Sequence, residues 1–583
     1  MKDSTGWETA SLRGRLSSLP LLSALDGPSL AALEAELEWL SLPGGATLFS
    51  EDQIADALYV VIAGSLSVTV RGKEGQDLLV GRCQAGELVG EMGLLSGGRR
   101  SGTVVALRDS VLLRLGKSSF EQLLERHPRA MLSIVSQLVD RLRTVMRHAG
   151  AAGANRTLAL VPVGQDADYR GFARDLADQL ASGGKRIMLL DAESSTQRPE
   201  WFDAAEAASD KVLYYAEPAQ PAWTELCLRQ ADHVVLMASA GSPVGLPAWP
   251  LDRPKDWRQP LDLVLLHDGI GDLRQAAEGW RKQLPIDLVC HVRRRNAGDL
   301  ARLARILNGT AVGLVLGCGG ARGFAHLGVV RALHEAMIPI DMIAGCSMGA
   351  IVGAGVALEW EEDEFRRRLR RAFVDSNPIN DYTLPFLSLV RGDKVARRLA
   401  EHFGGLRIEN MWRPYCCVST NLTAGQLAVH RDGPLLDALR ASVAIPGLLP
   451  PVMIDGEAHV DGGMMNGLPV DVMSARCGRV MAVDVASDPL GLPFPGIDQK
   501  PSMRRFLRGV PPIVDLLVRA ATVNSDALAR TVRARASVLF QPPLASVNLL
   551  DWQACDRAIE IGHRYAVEKL AQSDPAMLRE SPS

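Results

Sequence analysis

The chain has no excess of either charge, no cysteine framework and no apolar run that would cross a bilayer undisturbed. Its 64 Lys and Arg stand against 67 Asp and Glu. No global positive field therefore favours nucleic acid, and none is expected as a partner. The nine cysteines are scattered. None forms a C-x-x-C pair, and Cys416 and Cys417 are simply adjacent. The sequence thus offers no metal-type spacing and no disulfide pattern, which fits a reducing compartment. The N-terminus, Met1-Lys2-Asp3-Ser4-Thr5, has no apolar core of a secretory signal. The longest apolar stretch, about Met337 to Leu358, contains Pro339, Asp341 and Ser347 and reads as strand, turn and helix rather than a membrane span. These absences predict a cytoplasmic protein, with any membrane contact peripheral, on the inner face.

What is present implies several domains, because 583 residues exceed what one core can hold. From about 20 to 115, short β-like runs alternate with turn glycines, as in Leu58-Tyr59-Val60-Val61-Ile62 before Gly64 and Leu66-Ser67-Val68-Thr69-Val70 before Gly72. That spacing predicts a small β-roll. Helical periodicity follows from Phe120 to about Met146, then a small-residue linker, Ala149 to Ala154. Beyond it, apolar runs at 157–161, 187–190, 233–237 and 261–266 are separated in part by helical stretches such as Tyr169 to Ser182. They predict a parallel, doubly wound sheet. Gly183-Gly184-Lys185-Arg186 lacks the other residues of a phosphate loop. A third α/β unit starts at Val312-Gly313-Leu314-Val315-Leu316. Asp488 to Pro512 is rich in Pro and Gly and reads as a loop or lid, with helical periodicity again at 513–532 and 552–571.

Three short pieces of the third unit carry chemistry. Gly345-Cys346-Ser347-Met348-Gly349 has the form G-x-S-x-G, between a buried strand and a helix start. A strand-to-helix turn this sharp leaves no room for flanking side chains and exposes a serine near a helix N-terminus. Ser347 is the candidate nucleophile. Gly317-Cys318-Gly319-Gly320-Ala321-Arg322-Gly323 follows a strand and can aim amides at an oxyanion. Gly319 and Gly320 are the expected donors, with the amide of Met348 a third. Asp461-Gly462-Gly463 supplies a carboxylate at a strand end. Only His563 follows it in the chain, so a Ser, Asp, His order has no well-placed histidine. Asp461 is the better direct base.

The order G-x-G-G-x-R-G, then G-x-S-x-G, then a distant D-G-G resembles patatin-like phospholipases. Ala441-Ser442-Val443-Ala444-Ile445-Pro446-Gly447, Pro450-Pro451 and Asn466-Gly467-Leu468-Pro469-Val470 are similar to that family as well. The resemblance implies a Ser–Asp dyad of Ser347 and Asp461, framed by Gly317, Ala321, Arg322, Gly323, Gly345, Gly349, Gly462 and Gly463. Cys318 stands where many members have glycine. Arg322 is read either as a contact to a lipid phosphate or as a pin for its loop.

In the β-rich N-terminal part, Gly90-Glu91-Met92-Gly93-Leu94-Leu95 followed by Arg99-Arg100-Ser101-Gly102-Thr103 resembles the phosphate-binding cassette of cyclic nucleotide-binding domains. The resemblance implies Glu91 at a ribose and Arg100 at a cyclic phosphate, with Gly90 and Ser101 beside them, and cAMP or cGMP as a regulatory ligand. Arg99 replaces a common proline, and Asp52 a common turn glycine.

Together these matches resemble the neuropathy target esterase family. They imply a multidomain α/β chain: a cyclic nucleotide-binding-like β-roll at 18–148, a Rossmann-like linker domain at 155–308, a patatin-like hydrolase domain at 311–487, and a lid region with C-terminal helices at 488–583. The expected activity is serine esterase cleavage of lysophospholipid or phospholipid acyl esters, with no cofactor required. The alternative is a cyclic nucleotide sensor or scaffold whose patatin domain is an interaction module. The clusters Arg366-Arg367-Arg368, Arg370-Arg371 and Arg504-Arg505 are read as headgroup contacts or as solvated helix faces beside Glu361 to Glu364.

Overall fold

A computed structural model of the chain describes residues 36–71, 77–95, 98–126, 156–164, 168–197, 199–242, 244, 259–269, 277–384, 386, 388–473, 477–486 and 532–572. The expected linker at 149–154, the stretch 127–146, Arg504-Arg505 and the lid segment 488–512 lie outside these residues. The chain divides into two units, 1–238 with 245–262, and 239–244 with 263–583.

The first unit opens with a roll of two four-stranded antiparallel sheets. One has the order Glu38–Leu42, Ser110–Gly116, Ala57–Ala63, Leu88–Val89; the other Thr47–Phe49, Thr103–Ala106, Ser65–Arg71, Asp77–Gln84. Strand Ala57–Ala63 is buried along its whole length, so its sequence is an unbroken apolar run rather than an alternation. Leu66, Val104, Ala106 and Leu112 close the core against it. The same unit contains parallel strands in the order Ile187–Leu190, Lys211–Tyr215, Thr157–Val163, His233–Ser239. Arg108 ties roll to sheet: its guanidinium meets Glu206 at 2.5 Å and Asp232 at 3.5 Å. Gly184, with φ of 80°, only turns the chain out of helix Tyr169–Ala181.

The second unit carries the sheet that positions the three glycine-bearing motifs. Its strands are β1 (Ala311–Leu316), β2 (Met342–Cys346), β3 (Tyr415–Asn421), β4 (Gln426–His430), β5 (Val452–Ile454), β6 (Glu457–Asp461), β7 (Cys477–Val483) and β8 (Val538–Phe540), in the order β5-β6-β3-β2-β1-β7-β8, with β4 also on β3. Strands β3, β2, β1, β7 and β8 run parallel, and β4, β5 and β6 are antiparallel additions. β1, β2 and β3 are buried at every position, as parallel strands covered on both faces must be.

Three helices matter most: α1 (Ala325–Glu335), α2 (Met348–Ala357) and α3 (Cys555–Gln572). α1 and α3 cross at contact distance through a reciprocal pair of glycines. A Cβ on Gly328 would lie 1.9 Å from the Ile559 carbonyl, and one on Gly562 would lie 2.2 Å from that of Ala325. β8 and α3, both beyond residue 487, thus complete the sheet and core begun at residue 311.

Candidate active site

Register on β3 brings the two motifs together. Cys346, the last residue of β2, pairs with Val418, and Asp461, the last residue of β6, pairs with Ser419. β2 runs parallel to β3 and β6 antiparallel, so their C-terminal ends meet head to head along one edge of it. Ser347 is the next residue after β2. Its Oγ donates to Asp461 Oδ2 at 2.6 Å, the length of an O–H···O⁻ bond to a charged acceptor.

The turn that presents Ser347 is strained. Its φ is 56° and its ψ −123°, a backbone region that side chains other than glycine avoid. The strain is held by packing on both sides. A Cβ on Gly345 would sit 2.5 Å from the Gly349 carbonyl, so the turn closes only without one. The amide of Ser347 is fixed as well: it donates to Ser442 Oγ at 2.9 Å, and Ser442 is fully buried.

Asp461 is anchored at every polar atom. Its amide donates to the Ala444 carbonyl, its carbonyl accepts from Thr420 Oγ1 at 3.0 Å, and Oδ1 accepts from the Gly463 amide at 2.7 Å and from the Cys346 thiol at 3.9 Å. Burial raises its carboxyl pKa to about 6, and the hydrogen bonds from Ser347, Gly463 and Cys346 oppose that rise. A carboxyl in this range can hold and release a proton near neutral pH.

The expected oxyanion donors are the amides left over. In the glycine loop, Cys318 N–H donates to the Gly467 carbonyl and Ala321 N–H to that of Leu549. The amides of Gly319, Gly320 and Met348 have no acceptor among the described residues. Gly320 has φ of 52°, and a Cβ there would meet the Leu549 carbonyl at 2.3 Å. Cys318 lies outside the left-handed region, so its side chain does not disturb the turn. Arg322 donates through Nε to the Val547 carbonyl at 2.8 Å, which is the pinning role. Gly317 and Gly323 pack against Leu468 and Met348, Ala321 is buried, and Gly462 abuts the Val418 carbonyl.

No imidazole reaches Ser347 among the described residues. His459 and His430 both bond Ser419 Oγ, at 2.9 and 2.7 Å, and His563 bonds Glu335 at 2.7 Å. Of the basic clusters, Arg366 and Arg370 pair with Asp556, and Arg367 and Arg368 with Glu364. Those arginines are salt-bridged on the protein itself.

In the N-terminal cassette, Arg100 is buried. Its guanidinium bonds the Ala57 and Gly90 carbonyls at 2.9 and 3.2 Å and Asp56 at 3.0 Å, and stacks on Phe49 at 4.1 Å. Its Nε has no partner among the described residues. Glu91 is buried at the start of helix Glu91–Leu95, while Ser101 is exposed beside Met92. The two departures from the motif contact one another: Arg99 donates to the Asp52 carbonyl at 2.6 Å, and Asp52 has φ of 66°. That conformation favours glycine, and Asp tolerates it better than most.

Residues 314–474 match the family model for patatin-like phospholipase, 39–127 that for the cyclic nucleotide-binding domain, and 154–284 that for the neuropathy target esterase family P-loop like domain. An uncharacterized NTE family protein of Mycobacterium tuberculosis is 30% identical over 590 residues, 97% of each chain. Neuropathy target esterase sws of Drosophila melanogaster is 29% identical, covering 79% of this chain and 37% of the fly protein. Lysophospholipase NTE1 of Candida albicans is 27% identical, covering 94% of this chain and 47% of its own.

Sequence reasoning missed Ser442 and Cys346 as members of the site. Ser442 lies within the stretch Ala441 to Gly447, but nothing in its neighbours tells that its hydroxyl faces an amide 95 positions away. Removing that hydroxyl leaves a buried N–H unpaired, at a cost of about 1–3 kcal/mol. Ser442→Ala is therefore expected to slow fluorophosphonate labelling of Ser347 about tenfold or more. Far-UV circular dichroism should stay unchanged, and Ser442→Thr should recover part of the rate.

Proposed function

The chain belongs to the neuropathy target esterase family and is a carboxylic ester hydrolase, and from that premise we propose that it cleaves acyl esters of lysophospholipids and phospholipids with Ser347 as nucleophile and Asp461 as base. The observation that carries this reading is the 2.6 Å bond between Ser347 Oγ and Asp461 Oδ2. Asp461 takes the hydroxyl proton as Ser347 attacks the ester carbonyl. The oxyanion forms against the free amides of Gly319, Gly320 and Met348, which need no reorganisation to receive it. Asp461 returns the proton to the departing alcohol. Water then enters, loses a proton to Asp461 and attacks the acyl carbonyl; as the C–Oγ bond breaks, Asp461 returns that proton to Ser347 Oγ and the fatty acid leaves. The name of the fungal lysophospholipase supports the lipid class, and that of the fly esterase the ester chemistry. An interaction module would have no need of a buried carboxylate bonded to a strained serine.

The N-terminal roll is read as a cyclic nucleotide site that regulates the esterase. The family match and the assembly of Gly90, Glu91 and Arg100 support this. In the present arrangement Asp56 occupies Arg100, so a cyclic phosphate would take over the place of that exposed carboxylate.

Ser347→Ala and Asp461→Asn should each lower kcat/KM on a short p-nitrophenyl ester by about a thousandfold or more, while His459→Ala and His563→Ala keep most of it. Near-normal turnover in Ser347→Ala, or collapse in a histidine variant that is still folded, would sink the mechanism. Because the base must be ionised, kcat/KM should rise with pH through an apparent pKa of about 6, the value burial gives Asp461. A rate flat from pH 5 to 8 would contradict that role. In the full chain, calorimetric titration should detect cAMP, and Arg100→Ala should weaken binding roughly ten- to a hundredfold without altering basal esterase turnover.

A further inference from the structure

Between α2 and β3 the chain makes a short antiparallel hairpin. Tyr382 pairs with Val390, the Thr383 amide donates to the Leu389 carbonyl at 3.0 Å, and the Arg391 amide to that of Asp381 at 3.0 Å. Its base is well anchored. Val390 is fully buried with Leu448 and Leu449, and the amides of Leu389 and Val390 donate to the carbonyls of Gly447 and Leu448. Its outer part is the reverse. Tyr382, Leu384 and Phe386 are 71%, 73% and 89% exposed. Near its outer end the chain turns tightly, the Phe386 amide donating to the Leu384 carbonyl at 2.8 Å. Three large apolar side chains, within five residues and almost wholly in water, are costly for a protein that meets only water.

The hairpin is next to the catalytic centre through its base. Segment 441–449, on which it rests, supplies Ser442 Oγ to the Ser347 amide and the Ala444 carbonyl to the Asp461 amide. It also leads into a positive segment. Residues 391–401 carry Arg391, Lys394, Arg397 and Arg398 against Asp393 and Glu401; Arg398 pairs with Glu401 at 2.8 Å and Arg391 lies 4.0 Å from Asp393, which leaves an excess of cations in the segment. Exposed apolar side chains followed along the chain by an excess of cations suit one surface above others: a bilayer whose headgroups are anionic and whose interior is hydrocarbon.

We propose that the hairpin arms at residues 381–384 and 388–391, with Phe386, dock the enzyme on an anionic lipid surface, Tyr382, Leu384 and Phe386 entering the acyl region and the cations of 391–398 facing the headgroups. This rests on the reading of the protein as a phospholipid hydrolase. It adds the means by which a dyad buried behind segment 441–449 is brought to substrate held in a membrane.

The test uses the full chain in a Ser347→Ala background, so that binding is read without turnover. Flotation with vesicles of equal parts phosphatidylcholine and phosphatidylglycerol should recover the protein. Leu384→Ser with Phe386→Ser should lower the bound fraction at least tenfold. Arg391→Glu with Arg397→Glu should lower it several-fold on these vesicles and little on pure phosphatidylcholine. In the active enzyme, the Leu384→Ser, Phe386→Ser pair should leave turnover of a monomeric short-chain ester unchanged. Vesicle binding as strong as that of the parent would overturn the proposal, as would a loss of monomeric ester turnover. A change in oligomeric state by light scattering with vesicle binding intact would instead assign the hairpin to a second copy of the chain. Failure of the phospholipase reading would show separately, as absence of fatty-acid release from detergent-solubilised lysophosphatidylcholine by the wild type.

Discussion

The catalytic centre depends on one strand being read by two others. β3 pairs in parallel with β2 up to Val418 and antiparallel with β6 from Ser419 onward. The ends of β2 and β6 therefore arrive at adjacent rungs of the same edge. A serine and a carboxylate 114 residues apart are brought near each other by backbone pairing, and the turn held by Ser442 completes their 2.6 Å approach. One residue of slippage in either pairing would turn the side chain to the other face of the sheet. The buried apolar faces of β1, β2 and β3 make such slippage expensive.

The electrostatics follow from that placement. Taking Asp461 out of water disfavours its charged form, and three donors restore part of what burial removes. Two are strong, a serine hydroxyl and a glycine amide. The third is a thiol at 3.9 Å, a weak donor. The balance leaves the carboxyl more basic than an exposed aspartate, which is what proton transfer from an alcohol requires. A histidine could fill the same role in water-exposed surroundings. Here His430 and His459 bond Ser419 and His326 the Gly317 carbonyl, and burial pushes His430 and His326 down to about 4.

Much of this was legible in the sequence, and the rest was hidden for physical reasons. Strands that are buried on both faces, such as Ala311–Leu316 and Thr157–Val163, are apolar runs that announce themselves. Lys211–Tyr215 is as buried as they are, but it opens on a lysine and ends on two tyrosines, and its pattern does not separate strand from helix. β8 spans three residues, too short for any periodicity, and its place is fixed by β7 rather than by itself. Within the site, Ser347, Asp461 and the glycine loop lie in motifs whose spacing reflects local turns. Ser442 is defined by long-range register, which no local pattern encodes. The exposed hairpin side chains were equally invisible, since an apolar residue in sequence gives no sign of whether the fold will cover it.

The glycine loop is closed from the far end of the chain. Leu549 and Val547 supply the carbonyls that receive the Ala321 amide and the Arg322 side chain, and α3 seats itself on α1 directly behind. During synthesis, both members of the dyad and the loop itself leave the ribosome well before those carbonyls exist. A nascent chain paused at residue 500 holds every reacting group yet lacks the piece that sets the loop's shape. The loop's final shape thus waits on a segment translated after both members of the dyad.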